Sequence, residues 1–270
     1  GTTLSGTYTV LASENADTLS VDTIVLDGSV PVDLAGNAMT VTAVPAAESN
    51  LNGSDITVDT TVDAPTAALD ADTGSFADDA VTSDPTLNVG GTETGAVVEY
   101  STDDVTWVTD QSSLSLADGS NTLYVRQTDL AGNVSGSTSV QVLLDTTGPE
   151  PIAVSDDTAA DTDGSVTFTV GLSEPVLAST VFLDDFNLQG LVTEQLSGTL
   201  DSVTAVDVDA DGFATSFEVT VTTAGEGVLT LAMAAGAQFT DLAGNVDGSG
   251  SLVSGDAVVV GIGVNLAHHP

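Results

Sequence analysis

Cysteine is absent and basic side chains almost so: Arg126 is the one Lys or Arg in 270 residues, against 40 acidic ones, for a formal charge of −39. Without cysteine there are no disulfides, no thiol nucleophile and no thiolate metal site. Without positive charge there is nothing to hold phosphate, which argues against nucleic acid and anionic membrane surfaces as partners. With no Lys, and with His268 and His269 only at the far end, the usual nucleophile–base pairs cannot be assembled. "DTG" at Asp72–Gly74 occurs once, in a polar stretch, whereas aspartic-protease chemistry needs two such carboxylates. One Trp and three Tyr offer few platforms for a sugar chain, and no acidic pair stands out among 40 for glycoside hydrolysis. The expectation is that the protein is not an enzyme. No apolar run reaches the roughly 18 residues of a membrane span. The chain opens on "GTTLSG" without a secretory leader, as a mature or excised segment would.

So much uncompensated negative charge weakens a folded state unless cations relieve it. Calcium-containing extracellular fluid or a salt-rich cytoplasm would do so, and the lack of cysteine suits a secreted protein that relies on metal. Packed cores are nevertheless expected, because 41% of the residues are hydrophobic. The acids are also of one kind, 31 Asp to 9 Glu. Asp is short enough to bond its own backbone in turns or to reach a cation held in a loop.

Helix signals are nearly absent, single turns near "LDDFNL" and "AMAAGAQF" being the best. Period-two alternation is widespread. "SVTFTVGL" puts Val166, Phe168, Val170 and Leu172 on one face; "FEVTVTT" does the same with Phe217, Val219 and Val221, and "NTLYVRQTD" with Leu123 and Val125. Short strands at this spacing, separated by Gly, Asp, Asn and Ser, predict an all-β chain of immunoglobulin-like β-sandwiches.

Repeats set the organisation. "DLAGN" occurs at Asp33–Asn37, Asp129–Asn133 and Asp241–Asn245, 96 and then 112 residues apart, one sandwich per period. "ITVDTTVDAP" (Ile56–Pro65) and "VLLDTTGPEP" (Val142–Pro151) each read as a last strand, an Asp-Thr-Thr, and a Pro that ends ladder bonding. These joints divide the chain into a partial module at 1–61, sandwiches at 62–147 and 148–265, and a tail at 266–270. The modules are expected to stand in an extended row.

The "VDTT…P" joints, the D-x-A-G-N turn and "VEYSTDDVTWV…DGSNTLYVRQTDLAGNVS" resemble the bacterial immunoglobulin-like repeats of large type I-secreted and biofilm-associated adhesins. "SVTFTVGLSEPV", "LDDFNL" and "DADGFATSFEVTV" resemble a sibling repeat of the same proteins. The resemblance covers nearly the whole chain. It implies an extracellular or cell-surface spacer that holds a distal region away from the cell, rigidified by calcium, whose partners are neighbouring modules. The first module matches only the second half of such a repeat. It is a piece of a longer chain, a small variant sandwich, or a sandwich completed by a strand from another copy, for which Asp256–Ala267 is the candidate. The last version makes the protein a self-assembling filament or surface-layer subunit, a homopolymer by strand exchange. A carbohydrate- or surface-binding module is a third alternative.

Two kinds of calcium site are expected. "DVDADGFATSFE" places Asp207, Asp209, Asp211, Gly212 and Glu218 at the D-x-D-x-D-G-x5-E spacing, in which carboxylates at alternate positions converge on a hard cation. The flanking segments are strands, however. Glu218 then points outward, and the alternative is a hairpin with an Asp-Gly turn. The second kind lies at the joints. Asp59 is followed by Asp70, Asp72, Asp78 and Asp79, and Asp145 by Asp156, Asp157, Asp161 and Asp163. A joint and the turn before the final strand can approach the top loops of the next module, adding Asp129 and Asp241 (and Asp33 in the first copy) to the candidate ligands. The alternative is a solvated acidic loop. Trp107 is read as packing on a strand, and Arg126 as paired with a carboxylate on a neighbouring strand.

Overall fold

A computed structural model describes residues 7–21, 30–38, 56–156, 164–191, 197–224, 227–234, 236–247 and 258–260. The chain is all-β. Among the described residues the helical segments are single 3-10 turns at Gln111–Ser113, Ala178–Thr180 and Leu183–Asp185, the last lying in "LDDFNL". Two compact units form. One comprises Gly1–Ala68, Asn88–Leu114 and Leu123–Val140; the other comprises Leu69–Leu87, Ser115–Thr122 and Gln141–Pro270.

In the middle of the chain run β1 (Thr66–Leu69), β2 (Val81–Thr82), β3 (Leu87–Gly90), β4 (Val97–Ser101), β5 (Gly119–Thr128) and β6 (Thr138–Leu144). β4 pairs antiparallel with β5 from Val97↔Thr128 to Ser101↔Tyr124, and β2 pairs parallel with β6 at Val81↔Leu143. The pleat turns alternate residues of β5 inward, so Leu123 and Val125 are fully buried, as their alternation predicts. The same face continues through Gln127, also fully buried, to Asp129. Tyr124 and Arg126 lie on the other side. Arg126 meets Glu99, its cross-strand partner on β4, at 3.0 Å, and its guanidinium sits 4.1 Å from the centre of the Trp107 ring.

The last part of the chain is a two-sheet sandwich. β7 (Pro151–Asp156), β8 (Ser165–Leu177), β10 (Ser197–Val206) and β11 (Phe213–Ala224) form an antiparallel sheet of order β10-β11-β8-β7. β9 (Phe186–Leu191), β12 (Gly227–Met233) and β15 (Val258–Val260) form a second, of order β15-β12-β9. Val166, Phe168, Val170 and Leu172 of β8 and Phe217, Val219 and Val221 of β11 pack with Phe186, Leu229, Leu231 and Phe239 into one buried cluster. Thr167, Thr169 and Gly171 take the intervening positions of β8, and Glu218 and Thr220 those of β11. The short β13 (Phe239–Thr240) and β14 (Val246–Asp247) flank the third D-L-A-G-N turn. On the β13 side Ala237, Phe239, Asp241 and Ala243 are buried in alternation.

β8 carries the one large irregularity that matters for the site. Against β11, Val176 pairs with Ala214 but Gly171 pairs with Ser216, so Leu172–Pro175 stand opposite the single residue Thr215 as a bulged excursion that still buries Leu172. The backbone N–H of Ser173 donates to Glu150 O at 2.7 Å and the Ser173 hydroxyl accepts from Glu150 N at 2.8 Å, which fastens the excursion to the second joint.

Residues 7–38 make isolated bridges, Ala16↔Val58 and Val32↔Ala38, and no longer strand among the described residues. Leu11, Val32 and Leu34 are exposed, Leu34 completely.

Candidate metal centres

All three D-L-A-G-N segments fold into one turn. The Asp N–H donates to the Asn carbonyl at 2.9, 3.0 and 3.1 Å in chain order, and the Gly N–H returns to the Asp carbonyl. Oδ1 of Asp33, Asp129 and Asp241 accepts the Asn backbone N–H at 2.9, 2.8 and 2.8 Å, while Oδ2 accepts the Asn side-chain amide at 2.9, 2.7 and 2.9 Å. Gly36, Gly132 and Gly244 hold φ of 85°, 91° and 86°, a conformation open to Gly and costly for other residues. The residue types are thus fixed first by the turn.

In the second and third copies the turn also holds a joint. Asn133 Nδ2 donates to Asp59 O at 3.1 Å; Asn245 Nδ2 donates to Asp145 O at 2.8 Å and Thr147 O at 3.3 Å. The joint residues repeat a motif of their own, Oδ1 of Asp59 and Asp145 accepting from the N–H of Thr61 and Thr147. Each turn thus meets the joint segment that precedes it in the chain.

The outcome is two matching groups. Carboxylate oxygens of Asp59, Glu93 and Asp129 lie within 4.8 Å of one another, and so do those of Asp145, Glu174 and Asp241. The first group lies wholly in the first compact unit and the second wholly in the other. The glutamates come from different local structures. Glu93 sits in the turn after β3, its N–H donating to the buried Gln127 side-chain oxygen at 2.8 Å. Glu174 sits on the β8 excursion.

No Lys or Arg neutralises either group, and the titration of the carboxylates reflects it. Lost hydration and then the charges of Asp145 and Asp241, with a further hydrogen bond to Asp145, push Glu174 up to about 7. Burial raises Asp241 as well, against the hydrogen bonds from Asn245 that favour its charge. Glu93 is raised by lost hydration and by Asp59, Asp129 and Asp63. Asp129 is the exception: burial works against its charge, but the side-chain and backbone hydrogen bonds from Asn133 outweigh it, and it stays below the usual carboxylate range. A hard dication suits both groups, since oxygen is its preferred ligand and its charge removes the mutual repulsion.

Of the sequence-derived candidates, Asp59, Asp129, Asp145 and Asp241 are brought together in this way, joined by Glu93 and Glu174, which no motif marks. Asp70 and Asp72 belong to neither group. Asp72 accepts from Ala80 N through Oδ2 and keeps Oδ1 buried without a hydrogen-bond partner. Asp79 accepts from Val81 N. Asp156 lies on β7, its side chain outside the described part, and Asp157, Asp161 and Asp163 lie outside the described residues altogether.

The "DVDADG" segment is the turn between β10 and β11. Asp209 Oδ1 accepts from the N–H of Asp211 and of Phe213 at 3.0 and 2.8 Å, and Gly212 has φ of 93°. It is a D-L-A-G-N-type turn with Phe in the Asn position. Asp207, Asp209 and Asp211 form no three-carboxylate group among the described residues, and Glu218 points outward between the buried Phe217 and Val219. Asp209 and Asp211 do line, with Asp118, Asp145 and Glu174, a cavity of about 380 Å³ whose walls include Val81, Leu143, Pro175 and Phe213.

No family model matches the chain, and no curated protein matches it. Among solved structures it is similar to the D00-D0 domain of intimin, at 14% identity and a TM-score of 0.29, over 72% of this chain and 98% of that one. It is similar also to the surface-layer protein SbsC. One structure of that protein gives 14% identity and a TM-score of 0.29 over 83% of this chain, and another, of domains 1–6, gives 15% and 0.30 over 89%. The match spans 40% and 43% of those two chains.

Proposed function

We propose that this chain is a non-catalytic spacer segment of a bacterial extracellular or cell-surface adhesin, and that calcium bound at its two joints stiffens it. The observation that carries the reading is the repetition of one arrangement. Two joints that share an Asp-Thr-Thr, two turns of the same geometry and two glutamates from unrelated local structures converge into matching carboxylate triads. A single acidic cluster is common on a surface this charged. The same cluster built twice by different local means argues for a shared ligand. Asp59, Glu93 and Asp129 would hold one cation and Asp145, Glu174 and Asp241 the other, with water completing the six to eight oxygens that calcium takes. The cation would fix the joint to the module and cancel the repulsion that otherwise opposes packing there.

The test is thermal unfolding of the whole chain in calcium and in chelator. The reading expects a lower melting temperature in chelator, restored by calcium and not by an equal ionic strength of sodium chloride. Equal melting in calcium and chelator would exclude it.

A second reading is a self-assembling filament, favoured by the exposed Leu11, Val32 and Leu34 of the first module. In it a strand from another copy covers that module. The described residues of the candidate donor, Val258–Val260, pair with β12 of their own sandwich, so such an exchange has to detach them first. Electron microscopy separates the two readings: regular fibres support the filament, and discrete particles at every concentration exclude it.

A further inference from the structure

The three D-L-A-G-N turns share a backbone geometry but not an environment. Among the described residues the first two copies are more open: Leu34 is fully exposed, Leu130 is 82% exposed with its side chain against Gly95, and nothing lies within 4 Å of where a Cβ on Gly36 or Gly132 would stand. In the third, Ala243 is completely buried and a Cβ on Gly244 would come to 2.3 Å from Thr73 O. The covering element is the loop Asp72–Ser75, "DTGS", which belongs to the same compact unit. Ser75 N donates to Leu242 O at 3.0 Å, and the Thr73 hydroxyl donates to Ala243 O at 2.9 Å. That hydroxyl is itself held by Ser83 N at 2.8 Å. A Cβ on Gly74 would stand 2.3 Å from Leu242 O and 2.9 Å from Val81 O, so the approach admits no side chain at this position. Phe76 next to the loop meets Phe213, with ring centres 6.2 Å apart.

We propose that the Asp72–Ser75 loop is a docking surface built for the Asp241–Asn245 turn, with Thr73 and Gly74 as positioning residues that hold Asp241 in place whether or not a cation is bound. The turn at Asp129–Asn133 has no such cover among the described residues, so the first joint depends on its Asn133 and Gln127 hydrogen bonds and on its cation, whereas the second is closed by backbone contacts as well. The two joints therefore respond differently to chelation: the first loosens and the second stays shut. The role of Asp241 as a cation ligand rests on the function proposed above; the docking itself does not.

Amide hydrogen exchange on the whole chain in chelator tests this. The Ser75 amide is expected to be protected in the wild type. It should lose about tenfold or more of that protection in Thr73→Val and in Gly74→Ala, and keep it in Thr73→Ser, which retains the hydroxyl. The segment Asp59–Asp63 is expected to exchange faster in chelator than in calcium, while Ser75 does not change. A Ser75 amide that is unprotected in the wild type, or equally protected in Thr73→Val, overturns the docking. Calcium binding measured on the same proteins keeps the two claims apart. No binding to the wild type would remove the cation reading, and the exchange pattern in chelator would still decide the docking.

Discussion

The side-chain amide of Asn245 donates a 2.8 Å hydrogen bond to the backbone carbonyl of Asp145, 100 residues earlier in the chain. Asn133 stands in the same relation to Asp59. The same Nδ2 of each Asn thus donates both to its own turn and to a joint segment, so a short repeated motif becomes a clasp on that segment.

Replacing Asn245 by Ala leaves the Asp241 carboxylate without one donor and the Asp145 carbonyl without its amide partner. The expected loss is about 1–2 kcal/mol of stability, read by urea unfolding monitored in the last sandwich. Asn245→Asp should be worse in chelator, since it adds a fourth negative charge beside Asp145, Glu174 and Asp241.

The pH dependence follows from the raised carboxylates. Glu174 is held at about 7 in the folded chain against its ordinary 4.5, with Asp241 also raised. A raised carboxyl favours the folded state most when protonated, below its unfolded value, and that contribution is lost as pH rises through the folded value. In chelator, stability should therefore fall between about pH 4.5 and about pH 7, and calcium should flatten this slope. At the acid end the sign reverses. Asp103, lowered to about 2 by the N–H groups of Thr106 and Val105 and by the Ser101 hydroxyl, gives stability that is lost as pH drops below its ordinary range. Melting temperature against pH, in chelator and in calcium, checks both limbs.

Glu174→Gln separates the two roles of the triad. In chelator it removes a repelled charge and should raise the melting temperature. In calcium it removes a ligand and should bring the melting temperature below that of the wild type. The same change of sign is expected at Glu93, smaller because that group is exposed. A substitution that destabilises equally in both buffers would instead mark Glu174 as a packing residue.

Much of the fold can be read from alternation. Val166, Phe168, Val170 and Leu172, and then Phe217, Val219 and Val221, face the core as their spacing predicts. Phe168→Ala should accordingly cost about 3–5 kcal/mol. Four of the six triad residues are legible too, because they sit in repeated motifs. The glutamates are not: Glu93 depends on a turn pinned by a buried Gln, and Glu174 on a strand excursion, and neither leaves a spacing in the sequence. A usable signal does exist. In Leu123–Val125–Gln127–Asp129 and Ala237–Phe239–Asp241 an inward-facing alternation ends on an Asp, so the carboxylate is buried at the strand's end. The "LSEP" break in the period of β8 is the other trace. The acids just after the joints are more conspicuous in sequence, yet Asp70 and Asp72 join neither triad, because loop composition does not say which way a loop folds.

Calcium titration by calorimetry, on the wild type and on Asp129→Asn and Asp241→Asn, tests the central claim most directly. The account predicts two bound ions in the wild type, one in each single variant and none at these sites in the double variant. Binding that is absent from the wild type, or that keeps its stoichiometry in both variants, would contradict it.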